Sequence, residues 1–425
     1  MVDLKQLRDN PELFRKGAEK KGFSVDIDRI LEIDEKRRKL QASLDGRKRE
    51  LQERSKRMKE VSSTEEKHKL QLELKVFSRG IKEDDVKLRE LVNELNKLLL
   101  CVPNPPLDDV PVGKDESDNV EIKKVGLKPD FNFEIKDHVE LGNRHDIFDI
   151  ERGVKVAGSR SYYLKREGML LENALMRYAL DVLVDRGFLP FSTPVMVKEE
   201  AMVGSGYFPV GREEAYAIER DELYLIGTSE VTLLSYHMGE ILKEDQLPLK
   251  YAGYTTCFRR EAGSYGKDIR GLYRVHQFQK VEQVIICRND EDEMKRHHEE
   301  LLDNAEYIVK SLGLHYRVVE VCTGEMGLGQ VKKHDIECYM PGRGGYGETH
   351  SCSSFKDFQS RRANIRYKDS NGKNVFPYTL NNTAVASPRL LIAIIENYQN
   401  KDGSITIPEV LRKYMGGIDV ILPGA

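Results

Sequence analysis

Arg259 and Glu261 stand two residues apart in the stretch 257–282, CFRREAGSYGKDIRGLYRVHQFQKVE, so on a β-strand both point to one face. Phe278, Lys280 and Glu282 share a face of the following strand for the same reason. A cation, carboxylates and an aromatic plate on one sheet are the groups that hold a nucleotide beside an amino acid. Arg259, Arg260, Lys267, Arg270 and Arg274 add five cations within sixteen residues, a density that suits clamping of phosphates. The plainer reading is a solvated basic hairpin.

A second candidate lies in TLNNTAVASPRLLIAIIENY at 379–398. Ser387 reads as an N-cap with Pro388 at the first helical position, which places Arg389 in the first turn of an apolar helix. The helix dipole disfavours a cation there, so Arg389 needs an anion: either a neighbouring carboxylate or a phosphate held jointly with the helix N-terminus. In GTSEVTL at 227–233, Thr228 and Glu230 fall on one strand face.

Long helices must flank these segments. An alternating three-and-four spacing runs through Ile30, Ile33, Arg37, Leu40, Leu44, Arg47, Leu51, Arg54, Met58 and Val61, and a second series runs from Leu70 through Leu74, Phe77, Ile81, Asp84, Leu88, Leu91 and Leu95 to Leu98. SSTEE at 62–66 ends one helix and caps the next, which predicts an antiparallel coiled-coil hairpin over about 27–100. Residues 36–59 hold eleven Lys/Arg against three Asp/Glu, whereas 65–94 hold seven against eight. A net +8 on one arm points to a polyanion. The seam arginines could equally guard against wrong pairing.

VPNPPLDDVPVG at 102–113 is proline-rich and marks a boundary between residues 1–101 and 114–425. Beyond it, apolar helices near 168–187, 291–312 and 388–398 are interspersed with strands out of strict alternation. That pattern predicts an α+β domain with an antiparallel sheet. No GxxxxGK[ST] or strand-linked GxGxxG is present, so neither a P-loop nor a Rossmann site is supported.

With 33% charged residues and a net charge of −3, the chain as a whole carries no strong field, and a nucleic-acid partner must be met locally. Cys101, Cys257, Cys287, Cys322, Cys338 and Cys352 are scattered without a CxxC pair, which argues against zinc and against a disulfide framework. No apolar run approaches the roughly 20 residues that span a bilayer, and the N-terminal stretch mixes acids with bases. A reducing cytoplasm is the expected setting.

FRRE at 258–261 followed by HQFQKVE at 276–282 resembles motif 2 of the class II aminoacyl-tRNA synthetases, and the close spacing of HQF and KVE resembles the seryl-tRNA synthetase branch. RGFLPFSTPVMV at 186–197, with Pro194, resembles motif 1; the 379–398 segment resembles motif 3; TSE at 228–230 and ETHSCSS at 348–354 resemble further signatures of that branch. The resemblance covers nearly the whole chain. It implies the class II α+β fold behind a tRNA-binding coiled-coil hairpin, a homodimer formed through motif 1, and the substrates serine, ATP and a tRNA with a long variable arm, tRNA(Ser), with charging of tRNA(Sec) as well left open.

It also implies roles. Arg259 bridges the serine carboxylate and the α-phosphate, and Arg389 grips the γ-phosphate. Arg260 and Glu261 complete the ATP strand, with Glu261 accepting from the adenine amino group. Phe278 stacks on adenine within the backbone of Val275, His276 and Gln277. Glu348, Thr349, His350 and Ser351 form a second ATP segment, with Glu348 and Ser351 as contacts for Mg²⁺ bridging the phosphates. Thr228, Ser229, Glu230 and Glu282 meet the serine ammonium, and Asn381 and Thr383 lie near its hydroxyl. Relatives often carry a glycine–serine pair where this chain has Asn382 and Thr383. Arg47, Lys48, Arg54 and Arg57 are the implied tRNA contacts.

Overall fold

The computed structural model describes residues 1–264 and 270–423; Lys267 lies outside them. The chain divides into two compact units, one made of Val2–Glu19 with Phe23–Val102 and the other chiefly of the chain from Pro103 onward.

Two helices dominate the first unit, α1 (Ile27–Glu60) and α2 (Thr64–Leu99), each roughly 50 Å long. Ser63 caps α2 by accepting from the Glu66 amide, as the serine/threonine–glutamate spacing predicts. Ile30, Ile33, Leu44, Ile81 and Leu95 are buried along the seam, but the second series ends on buried Leu99 and not on Leu98. Asp34 is fully buried and offset by Arg8, Arg37 and Arg38 at 2.8, 2.7 and 3.2 Å. Towards the turn the seam residues Leu51, Met58, Leu70 and Leu74 are only half buried. There the guanidiniums of Arg47 and Arg54 lie over the Phe77 ring, 5.1 and 5.0 Å from its centroid. Arg47 also pairs with Asp84, Lys48 with Asp85 at 2.9 Å, and Arg54 with Glu50, whereas Arg57 is exposed.

The second unit is built on eight strands: β1 (Val120–Val125), β2 (Leu189–Ser192), β3 (Leu249–Phe258), β4 (Gln277–Cys287), β5 (Tyr316–Glu320), β6 (Lys332–Met340), β7 (Gly345–Ser354) and β8 (Tyr378–Ala386). They lie in the order β1-β5-β6-β7-β8-β4-β3-β2, antiparallel except for the β2–β3 pair. Alternation assigns one face to Val281, Ile285, Ile336, Cys338, Cys352 and Leu380. These residues form a continuous core with three helices, α3 (Arg166–Asp185), α5 (Glu291–Ser311) and α6 (Ser387–Asn397). The short α4 (Glu230–Ser235) packs Leu233 and Leu234 on the other face, against Tyr251, Val284 and Ile286. Farther along, that face carries Lys280, Glu282, Asn381 and Thr383 beside Phe278.

Three local expectations fail. Thr228 and Glu230 do not lie on a strand: the nearest one ends at Leu225, and Glu230 opens α4. Tight approach explains this, because Ser229 and Leu233 sit directly over Gly253, where a Cβ would come within 2.4 Å of Ser229 Oγ. Nor does Arg259 share a strand with Glu261. β3 stops at Phe258, and Glu261 adopts a left-handed conformation (φ 54°), so the chain turns away where continued extension was expected. The third helix begins one residue earlier than its capping pattern suggests: Ala386 is the N-cap, and the Ser387 hydroxyl instead accepts from the Gln279 amide at 3.2 Å.

Candidate active site

β4 organises the site. Phe278, Lys280 and Glu282 share its polar face, opposite Cys257, Thr255 and Gly253 of β3. One residue past β3, the Arg259 amide donates to the His276 carbonyl at 3.0 Å, and His276 Nδ1 donates to the Arg259 carbonyl at 3.0 Å. This pairing holds the Arg259 guanidinium 5.3 Å from the Phe278 ring centroid, while its Nε donates to Gly227 O at 3.3 Å. Glu261 meets Arg274 at 3.2 Å, and Val275 packs with Cys257 and Phe278 under the aromatic plate. Gln277 points the other way and is exposed. The Arg260 amide donates to Glu214 O at 3.0 Å.

Farther along β4 is a buried polar pocket. A bulge between β4 and β8 sets Thr383 opposite Glu282, with Asn381 opposite Val284. Lys280 pairs with Glu282, and its Nζ donates to Thr228 Oγ1 at 3.3 Å. Glu230 accepts from Gln359 Nε2 at 2.7 Å and from the Tyr207 hydroxyl at 3.2 Å. Burial, and next the nearby Glu282 charge, push the Glu230 carboxyl up to about 7. The pocket therefore holds two carboxylates against one lysine, a deficit that an ammonium group would make good. Ser229 contributes differently from expectation: its hydroxyl is buried and donates to Gly253 O at 3.1 Å, which anchors the turn.

The opposite end of the face is anionic and cationic by turns. In β7, Glu348 and Ser351 are three apart and would face opposite sides of a regular strand. A bulge at Thr349 pairs Glu348 with Glu337 and Ser351 with Asp335, which brings both onto one face. Thr349 and His350 are spent on the interior: Thr349 Oγ1 donates to Ile336 O at 3.1 Å, and His350 Nε2 lies 3.1 Å from Ala384 O. Burial pushes His350 down to about 4, so its ring is neutral. Arg389 Nη1 donates to the Glu348 carbonyl at 2.9 Å and to its carboxylate at 3.3 Å. Burial would raise the Glu348 carboxyl, but Arg389, Lys333 and Arg259 hold it at about 2. Tyr273 lies between two arginines, with Arg389 4.4 Å and Arg343 4.0 Å from its ring centroid.

An ionised carboxylate and a hydroxyl on one face are hard oxygen donors, the kind Mg²⁺ takes in small number when phosphates supply the rest. Among the described residues no cluster of three or more His, Cys, Asp or Glu could hold a metal ion.

Several residues of this face escaped sequence reasoning. Lys333 and Asp335 pair at 3.0 Å beside Ser351, and their i, i+2 spacing on a strand-like run was a usable signal. Tyr207, Gln359 and Arg343 lie outside the motifs, on a loop and two short helical segments, and no local pattern marks them.

Residues 1–106 match the family model described as the seryl-tRNA synthetase N-terminal domain, and residues 215–398 match the tRNA synthetase class II core domain (G, H, P, S and T). A serine–tRNA ligase of Deinococcus radiodurans is 45% identical over 421 residues, 99% of each chain, and one of Dictyoglomus turgidum is 46% identical over 98% of each. Among solved structures, seryl-tRNA synthetase from Pyrococcus horikoshii complexed with ATP aligns with a TM-score of 0.92 at 37% identity over all of both chains. The cytoplasmic serine–tRNA ligase of Naegleria fowleri in complex with AMP aligns at 0.88 and 30%, covering 100% of this chain and 99% of that one. With Arg259, Phe278, Glu282, Glu348 and Arg389 gathered on one sheet face and its whole length matched at this identity, the chain belongs to the seryl-tRNA synthetase family.

Proposed function

We propose that the polar face of the eight-stranded sheet joins serine to ATP and passes the seryl group to tRNA, the serine–tRNA ligase reaction, with residues 114–425 as the catalytic domain, 102–113 as linker and 1–101 as the tRNA-binding domain. One observation carries the reading. Arg259, Phe278, Glu282, Glu348 and Arg389 come from three separate sequence segments and converge on one face, in the order a nucleotide and an amino acid require.

Adenine stacks on Phe278 beside the backbone of 275–278, with Glu261 accepting from its amino group. Arg259 lies between the two substrate positions, so it can hold the serine carboxylate against the α-phosphate. A carboxylate oxygen attacks the α-phosphorus, the bond to the β-phosphate oxygen breaks, and pyrophosphate leaves with the displaced charge. No enzyme nucleophile is needed; positioning and charge stabilisation supply the rate. Arg389 takes the γ-phosphate. Glu348 and Ser351 would hold Mg²⁺, which neutralises phosphate charge when bound.

Thr228, Glu230 and Glu282 receive the serine ammonium, and Thr383 and Asn381 face its hydroxyl. The basic arm 36–59 grips the long variable arm of tRNA(Ser) or tRNA(Sec). Exposed Met169, Leu170, Val184 and Leu189 on α3 and β2 support a homodimer formed through the motif 1 region. Free cysteines among the described residues fit a cytoplasmic setting, and no described helix is long and apolar enough to cross a membrane.

Arg259→Ala tests the reading. Loss of one preorganised charge contact at the reacting phosphorus should lower serine-dependent ATP–pyrophosphate exchange by roughly 10²–10³ in a folded protein. Exchange near the wild-type rate would remove Arg259 from the mechanism.

A further inference from the structure

We infer that His138 and Glu396 are positioning residues for the triphosphate end of the ATP site, acting through the segment 270–274 and the turn at Gly342. The inference rests on the assignment of ATP to the face that carries Arg259 and Arg389.

Glu396 is fully buried near the end of α6, seven residues after Arg389 and so two turns along the same side of that helix. Its two carboxylate oxygens are committed to different segments. Oε1 accepts from the His138 amide at 2.9 Å and lies 2.9 Å from His138 Nδ1; Oε2 accepts from the Gly342 amide at 2.8 Å. His138 Nε2 in turn accepts from the Leu272 amide at 3.2 Å. These bonds define the ring's state: Nε2 is the acceptor, so Nδ1 carries the proton and donates it to Glu396.

Both segments tied to Glu396 lead straight to the phosphate-facing groups. Leu272, fully buried, precedes Tyr273, whose carbonyl accepts from Arg389 Nε at 3.3 Å and whose ring lies under the Arg389 guanidinium. Gly342 precedes Arg343, which covers the same ring. On the other side of Leu272 the fit is close. Gly271 has φ 81°, and a Cβ there would lie 2.0 Å from His138 Nε2; Arg270 pairs with Asp137 at 2.6 Å. The connections close on themselves: Arg389 to Tyr273, Leu272 to His138, His138 to Glu396, and Glu396 back along α6 to Arg389. Neither His138 nor Glu396 is among the groups placed against serine or ATP, yet each fixes a backbone that carries one of those groups. Glu396 keeps the His138 and Gly342 amides when the imidazole is removed, but the buried Leu272 amide loses its acceptor, and an unpaired buried donor is costly enough to release the 272–273 backbone.

The full-length protein carrying His138→Ala, His138→Gln or Gly271→Ala is compared with wild type by steady-state pyrophosphate exchange, thermal melting and amide hydrogen exchange at 270–274. The inference expects His138→Ala to raise KM for ATP about tenfold, the size of one buried hydrogen bond, with KM for serine unchanged and faster exchange at the Leu272 and Tyr273 amides. His138→Gln, which restores an acceptor, should recover part of the ATP affinity. Gly271→Ala spoils the same seam from the loop side and should reproduce the ATP defect even if His138→Ala does not fold. Unchanged KM for ATP in both His138→Ala and Gly271→Ala would overturn the inference. So would equal rises in both KM values that track a lowered melting temperature, the mark of a merely structural role. Arg389→Ala separates the two levels. If it too left KM for ATP unchanged, the ATP assignment itself would fail; if it alone were impaired, only the positioning role would.

Discussion

Arg389 and Glu348 are joined twice, by a 2.9 Å bond from the guanidinium to the Glu348 carbonyl and a 3.3 Å bond to its carboxylate. The sequence left two partners open for a cation in the first turn of a helix, a carboxylate or a phosphate. The structure supplies the carboxylate. Because Glu348 is also the proposed Mg²⁺ contact, a phosphate bound as proposed would meet two partners that already hold each other in place.

Replacing Arg389 by alanine should therefore cost more than one contact. Exchange activity should fall by roughly 10²–10³. The carboxyl of Glu348 sits at about 2 in the native protein, so its stabilising contribution is present above the ordinary value of 4.5 and is lost as pH falls towards 2. Without Arg389 the folded value rises, so that acid-side loss should be smaller and should be complete at a higher pH. An acid-denaturation curve for Arg389→Ala that overlays the wild type would contradict the pairing as described.

The serine pocket should respond at neutral pH. Glu230 titrates near 7 in the folded chain, so serine capture, read as kcat/KM, should weaken as pH falls below about 7 and the carboxylate is neutralised. The stability effect has the opposite sense. A carboxyl raised from 4.5 to about 7 binds a proton more tightly folded than unfolded, so stability declines as pH rises through that window. Glu230→Gln should flatten both profiles. A serine profile in which the limb near 7 survives that substitution would assign the titration to another group.

Much of this was legible because it is periodic. The charged i, i+2 pattern of β4, the three-four seam of the hairpin and the Ser63 cap are all local, and each is found where its spacing puts it except at the end of the second seam series, where Leu99 is buried instead of Leu98. What could not be read depends on contacts between distant segments. Only the Thr349 bulge brings Glu348 and Ser351 to one side, and only Gly253 lets the 228–230 turn sit on the sheet instead of joining it. Tyr207 and Gln359 reach Glu230 from 23 and 129 residues away.

The hairpin illustrates the same limit. Arg47, Lys48 and Arg54 were expected to face tRNA, yet each is engaged within the hairpin, Arg47 and Arg54 over Phe77. Phe77→Ala should loosen the arms near the turn, seen as faster amide exchange there. Arg57→Glu, at an exposed position, should leave exchange untouched and weaken tRNA binding, with the log–log salt slope reduced by about one for a single phosphate contact. Full tRNA affinity in Arg57→Glu would move the contact to other basic residues of the arm.

Selection of serine should depend on Thr383, which β8 presents opposite Glu282. A site built around a hydroxyl can reject the analogue lacking it by about 10⁴–10⁵, since its own polar groups are then stranded. Thr383→Val should erode discrimination against alanine. An unchanged serine-to-alanine ratio of kcat/KM would place the hydroxyl contact elsewhere on the face.

The central claim is that this sheet face activates one amino acid. ATP–pyrophosphate exchange by the purified full-length protein, run with each of the twenty amino acids in turn and no tRNA, tests it most directly. The account predicts rapid exchange with serine and rates at least a hundredfold lower with the other nineteen, alanine and threonine included. Exchange driven as well by another amino acid, or none with serine by a protein that still binds ATP, would contradict it.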